Sequence, residues 1–389
     1  MDKDALERGH LLTSEFVATI DKNNINHYFP EREMMEGNID DLPKYDIDLY
    51  RITYRSVYEN SPVVLSGLVV VPKKEGKLDH IQYHHGTLYP YAKDEGWGNL
   101  DAPSLYDGHA PKMPMIFYET RLNANYLGSY GYLVSLPDYA GYGVSQDLEH
   151  PYCINSELAE ESIDMILATR EFAKSKNLAM NDGVFLSGWS EGAAVAVATQ
   201  KLVEEKYSNI VKILANAPMS GYLNTENIKT ILSQVPHINE DVGGTLDLLA
   251  WLYYSYNKFS ENPITLSAIF KFPISNGLDV LTKKPSNIPA LVFKILDKQS
   301  LQHLADQIDK NNLAVGWKPV SPLIIYHGTA DKTVPYENNP EVALNNYEKY
   351  GGNTKLVKFE DHDHYSLGVL QLKNMMDEFE KIKRSYKSS

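Results

Sequence analysis

From Tyr45 onward, short apolar runs alternate with amphipathic or small-residue stretches. YDIDLYRITYRSV and VVLSGLVVVP, bounded by Asn60-Ser61-Pro62 and Pro72-Lys73-Lys74, predict an opening hairpin, because β-branched runs between turn residues favour strands. Ile81-Gln82-Tyr83 predicts a strand that runs into a glycine loop, His84-His85-Gly86-Thr87. Residues 88 to 112 show little period, Phe117 to Ser129 reads as a helix ending at Gly131, and Tyr132-Leu133-Val134-Ser135-Leu136 reads as the strand that follows. Over residues 156 to 174, Leu158, Ile163, Ile166 and Leu167 share one helical face, with Ser156 placed to cap it and Glu157, Glu160 and Glu161 at its positive end. Val184-Phe185-Leu186 predicts a buried strand, the small residues up to Ala198 a tightly packed helix, and Val211-Lys212-Ile213-Leu214-Ala215 another buried strand. Strand and helix in alternation predict an α/β fold, a mostly parallel sheet with helices on both faces.

The alternation stops near Gly221. Up to Pro319 the apolar residues fall at helical spacing, as in Leu246, Leu249, Leu252-Tyr253 and Tyr256, and in Leu301, Leu304 and Ile308, with breaks at Pro263, Pro273, Pro285 and Pro289. It resumes with strands at Leu323-Ile324-Ile325-Tyr326-His327 and at 354 to 359, and a closing helix from Ser366 to Arg384. Residues 1–46 are polar and mixed, with helical spacing in Leu11-Leu12, Phe16-Val17 and Ile20, and read as a lead-in that covers the sheet edge. The chain thus divides into a lead-in (1–46), a core (47–220 and 320–389) and a helical insertion (221–319).

Composition narrows the class. A formal charge of −14 on 389 residues repels nucleic acid phosphates, and no basic stripe offsets it. No apolar run is long enough to span a bilayer. Cys153 is the only cysteine, so neither an intrachain disulfide nor a cysteine-built metal site is available. The start, Met1-Asp2-Lys3-Asp4, carries no apolar signal segment, so the expected compartment is cytoplasmic, or else exported with a signal already removed.

Candidate chemistry sits in the loops after strands. Gly188-Trp189-Ser190-Glu191-Gly192, between a strand and a helix, matches the G-x-S-x-G turn that presents a nucleophilic serine. A serine hydroxyl needs a base, and the base needs a carboxylate to orient it. Asp331, in the loop after the strand ending at His327, is the expected acid. His364, just ahead of the closing helix, is the expected base, with His362 as the alternative. Asp361, His362, Asp363 and His364 are all potential metal ligands, but neighbours in sequence seldom converge on one ion, and no metal is expected. The backbone N–H groups of Glu191 and Thr87 are the expected oxyanion donors. The Glu191 carboxylate repels a developing oxyanion unless it points away or is paired, and we expect it to point away.

Taken together, YRSV with SGLVVVP, HHGT, GYLVSLPDYAGYG, HPY, GWSEGAA and HGTADKTVP resemble an α/β-hydrolase of the secretory lipase type and its bacterial lipase and esterase relatives. The resemblance runs from about residue 50 to the end. It implies a mostly parallel eight-stranded sheet, a helical lid inserted before the strand that carries the acid, and hydrolysis of carboxylic esters without a cofactor. It also suggests an exported or periplasmic protein. In the commoner pattern Gln-Gly-Gly follows the serine; Glu191 and Ala193 stand here instead, which leaves substrate preference open. Trp189, Leu88, Trp251 and Tyr254 are the candidates for lining a substrate pocket, with Tyr253, Phe259, Phe270 and Phe272 also in the apolar insertion. The expected activity is that of a serine carboxylesterase or lipase acting on a small-molecule ester. A serine peptidase with the same triad, or a hydrolase-fold binding protein without catalysis, are the alternatives.

Overall fold

Strand β6 (Met180–Trp189) shows why the chain folds in layers. Its residues 184–189 are buried, and alternate side chains serve opposite faces. Phe185 stacks on Phe379 with ring centroids 4.4 Å apart, while Val184 and Leu186 pack with Ile163, Ile166 and Ala196. A strand apolar on both sides needs helices on both sides. The structure, a computed structural model, describes residues 8–34, 36–89, 101–110, 119–232, 234–237, 245–272, 275 and 293–387.

The nine strands are β1 (Leu11–Ile20), β2 (Ile47–Tyr58), β3 (Ser61–Pro72), β4 (Leu78–His84), β5 (Tyr132–Pro137), β6, β7 (Ile213–Met219), β8 (Leu323–Gly328) and β9 (Thr354–Phe359). They form one sheet in the order β1-β2-β3-β5-β4-β6-β7-β8-β9. From β5 through β9 all pairs are parallel, and the β1-β2-β3 end and its join to β5 are antiparallel. Of the ten described helices, α2 (Glu119–Tyr130) and α10 (Gly368–Lys387) pack on one face of the sheet. On the other lie α3 (Asn155–Ser175), α4 (Glu191–Leu202) and α9 (Pro340–Lys349). The short α1 (Lys22–Tyr28) follows β1, and α5 (Glu226–Leu232), α6 (Thr245–Lys258), α7 (Leu266–Ile269) and α8 (Lys298–Lys310) lie between β7 and β8. No described helix is long and apolar enough to cross a membrane.

Four expectations are corrected. The 3–4 spacing of Leu11, Leu12, Phe16, Val17 and Ile20 is not a helix but β1, paired antiparallel with β2. Irregularities between Leu11 and Thr13 and between Phe16 and Ala18 break its alternation, which makes a bulged strand look helical in sequence. It is the end strand of the sheet, and it brings the strand count to nine rather than eight. Ser156 does not cap α3; the N-cap position is Ile154, without a side-chain bond, and the Asn155 N–H is taken by Asn311 Oδ1 at 2.9 Å. Glu161 turns into the core, where it accepts the Ala140 N–H at 2.9 Å and burial pushes its carboxyl well above the usual range. The predicted helix start at Phe117 and the breaks at Pro273, Pro285 and Pro289 lie outside the described residues.

Candidate active site

Ser190 stands between β6 and α4 with φ 56° and ψ −118°, a conformation that costs about 1–3 kcal/mol for a residue with a side chain. The turn is held by its neighbours: Ser190 N–H donates to Met219 O at 2.9 Å, and Ser190 O accepts from Ala193 and Ala194 N–H at 3.1 and 3.3 Å. Gly188 and Gly192 are required by space. A Cβ on Gly188 would meet Gly192 O at 2.4 Å, and one on Gly192 would meet His84 O at 2.1 Å and His85 O at 2.4 Å. The elbow therefore packs directly on the loop after β4.

That turn lifts the Ser190 Oγ to 3.0 Å from His364 Nε2, and His364 Nδ1 lies 2.7 Å from Asp331 Oδ2. A carboxylate only accepts, so Nδ1 carries the proton and Nε2 is left to accept from the serine. Asp331 follows β8, and its other oxygen accepts the N–H groups of Thr333 and Val334 at 2.9 and 2.8 Å. Burial alone would raise this carboxyl, but hydrogen bonds from the histidines and these amides hold it well below the usual carboxylate range. His327 Nε2 spends its proton on Val334 O at 2.7 Å, so its 3.4 Å approach to Asp331 is the weaker contact. Of the two candidate bases, His364 faces the serine. His362 faces away, with Nε2 3.0 Å from Glu36 and Nδ1 on the carbonyl of Glu360.

The HHGT loop ends β4 beside the elbow. His84 Nδ1 donates to Ser187 O at 3.0 Å, and burial lowers its pKa to about 3, so it stays neutral. Gly86 N–H donates to Glu119 Oε1 at 2.5 Å, and the other oxygen of Glu119 takes the Tyr83 hydroxyl. Burial raises the Glu119 carboxyl to about 7. The next N–H, that of Thr87, and the N–H of Glu191 at the first position of α4 find no acceptor among the described residues. Both are free for a ligand atom.

Glu191 is buried and paired. His150 Nε2 lies 2.9 Å from its Oε1, and Cys153 N–H reaches the same oxygen at 3.3 Å. The expectation that this carboxylate points away omitted its partner. A cavity of about 270 Å³ opens at Ser190 and Glu191. Asn227, Ile228 and Ile231 of α5, Leu246, Leu248, Leu249 and Leu252 of α6, Tyr152, Cys153, Tyr222 and the segment 332–335 form its walls. The four predicted lining residues do not. Trp189 packs under His364 instead, its indole N–H donating to His364 O at 3.0 Å. Leu88 belongs to a small core cluster with Tyr139, Tyr142, Leu158 and Val195. Trp251 stacks on Tyr152 at 4.2 Å, one layer behind the wall, and Tyr254 turns its hydroxyl to Glu149 at 2.6 Å. On α6, Trp251 and Tyr254 face away from the cavity, while Leu246, Leu248, Leu249 and Leu252 face it.

Ser190, Asp331 and His364 occupy loops at the carboxyl ends of β6, β8 and β9, where open α/β sheets build their sites. Parallel strands, the strained serine turn and the order serine, carboxylate, histidine define the α/β-hydrolase fold. Solved structures share that fold along nearly the whole chain. A Legionella pneumophila protein assigned to the hydrolases is similar at TM-score 0.78 and 22% identity, over 96% of this chain and 98% of that one. The rice cell wall degrading esterase LipA from Xanthomonas oryzae is similar at 0.73 and 22%, over 96% of both. Candida antarctica lipase A is similar at 0.62 and 16%, over 92% of this chain and 78% of that one. No protein-family model and no curated protein sequence matches the chain.

Sequence reasoning did not assign His150, Glu119 or Cys153. His150 stands in His150-Pro151-Tyr152, a stretch visible in the sequence but with nothing there to tie it to Glu191. Glu119 has no local signal, since its bonds to Tyr83 and Gly86 depend on where α2 lies relative to β4.

Proposed function

We propose that the chain is a serine carboxylic ester hydrolase that works through an acyl-enzyme on Ser190. The observation that carries this reading is the bonded series Ser190, His364, Asp331 opening onto a cavity walled by aliphatic side chains. Ser190 Oγ attacks the ester carbonyl carbon while His364 Nε2 takes its proton, and Asp331 holds the imidazole in the required tautomer. The carbonyl oxygen becomes an oxyanion bound by the N–H groups of Glu191 and Thr87. As the intermediate collapses the C–O bond to the alcohol breaks, and His364 returns its proton to the departing oxygen. Water then attacks the acyl-enzyme by the same route and releases the acid.

The helical insertion supplies much of the cavity wall and acts as a lid that keeps water from the acyl-enzyme until deacylation. An aliphatic cavity with few polar groups favours an acyl chain over a run of peptide bonds, and this ranks ester above amide. Ser190→Ala is expected to lower kcat/KM on p-nitrophenyl esters by at least about three orders of magnitude with the thermal midpoint retained. A panel of esters graded in acyl length, run beside aminoacyl anilides, checks the substrate class. Faster turnover of the anilides would make the chain a peptidase.

A further inference from the structure

Glu191 places a carboxylate on the same residue whose N–H is to bind the oxyanion. Negative charge is thus built in beside the point where negative charge develops, and in a water-poor site that raises the transition state unless a positive group compensates it. The side chains of His150 and Glu191 are 0% and 1% exposed, so solvent provides no screening. Glu191 Oε2 is buried with no hydrogen-bond partner among the described residues, which leaves His150 and the Cys153 N–H, both on Oε1, to serve the carboxylate.

The protons can be counted. His150 Nδ1 lies 2.9 Å from Ala140 O, an acceptor, so Nδ1 carries a proton. A further proton lies between Nε2 and Glu191 Oε1, and the pair is neutral as a unit wherever that proton sits. Tyr142, Trp251, Tyr139 and Tyr152 surround His150 at centroid distances of 4.8, 5.8, 5.9 and 6.3 Å and enclose the pair among rings.

We propose that His150 is a positioning residue that neutralises Glu191 and so allows the N–H beside that carboxylate to donate to an oxyanion. The inference rests on reading Ser190 as an acyl-transfer nucleophile. It also gives the pair a second effect. By holding the Cys153 N–H, Glu191 fixes the segment that contributes Tyr152 and Cys153 to the cavity wall.

The test is a double-variant cycle on the full chain with a p-nitrophenyl ester. His150→Gln keeps a donor toward Glu191 but brings no charge. It is expected to lower kcat by about 30-fold or more with KM within about threefold, the signature of an interaction lost only in the transition state. Glu191→Gln removes the offending charge and is expected to cost less than about tenfold. The double variant is then expected to be at least about threefold faster than His150→Gln alone, because no uncompensated carboxylate remains. A double variant as slow as His150→Gln, or slower, overturns the proposal and leaves the pair a packing element. Thermal midpoints check folding, and His150→Asn with its own double carries the same comparison if His150→Gln does not fold. Wild-type turnover and fluorophosphonate labelling of Ser190 test the underlying reading separately. Their absence removes that reading, whereas normal wild-type turnover with an unrescued double variant removes only the role of His150.

Discussion

Asp331 illustrates how much a single carboxylate contributes here. Its pKa lies below the ordinary 3.8 in the folded chain, so the folded state holds the ionised form more tightly than the unfolded state does. The stability this supplies is fully present above the unfolded value and is lost as pH falls through the folded one. Asp331→Asn removes that linkage, and the variant is expected to lose less stability than wild type on acidification below about pH 4, measured by urea unfolding at stepped pH. The same substitution disturbs the tautomer of His364 and is expected to lower kcat by about three to four orders of magnitude. Retention of activity within about tenfold would remove Asp331 from the mechanism. Ser190, Asp331 and His364 were legible because each sits in a local motif and the motifs occur in a known order. His150 was not, because a buried side-chain pair across 41 residues of separation leaves no mark on either local pattern.

At the scale of elements, the site depends on the junction between β6 and α4. Close approach of Gly192 to two carbonyls of the HHGT loop means that the serine turn and the loop bearing Thr87 are placed by one contact. Gly192→Ala puts a methyl within 2.1 Å of the backbone oxygen of His84, and backbone moves less easily than a side chain. We expect a loss of about 2–4 kcal/mol in urea unfolding and loss of fluorophosphonate labelling even in the fraction that folds. Labelling at the wild-type rate would show that elbow and loop are placed independently. Strand and helix periods predicted β2 through β9 well, since buried strands and amphipathic helices announce themselves locally. β1 was misread because its two irregularities shift the side-chain phase, and a shifted period of two imitates a period near four.

For the whole molecule, β1 closes the antiparallel end of the sheet by pairing along β2, a strand of 12 residues. Without it β2 is a long unpaired edge, which invites association between chains. A chain beginning at Lys22 is expected to be less stable and to associate on concentration, read by light scattering beside a thermal melt, while a monodisperse and equally stable product would show that β1 is dispensable. What the sequence determined by itself was local. It set which stretches become strands and helices, where the serine turn falls, and which carboxylate and imidazoles lie in the loops after strands, because sterics, periodicity and hydrogen-bonding capacity act over a few residues. What only the tertiary structure decided was non-local. Folding set His364 rather than His362 against Ser190, turned the leucines of α6 rather than Trp251 and Tyr254 to the cavity, and set His150 against Glu191. Each of those outcomes depends on distances between residues that meet only once the sheet has assembled and its two faces are covered.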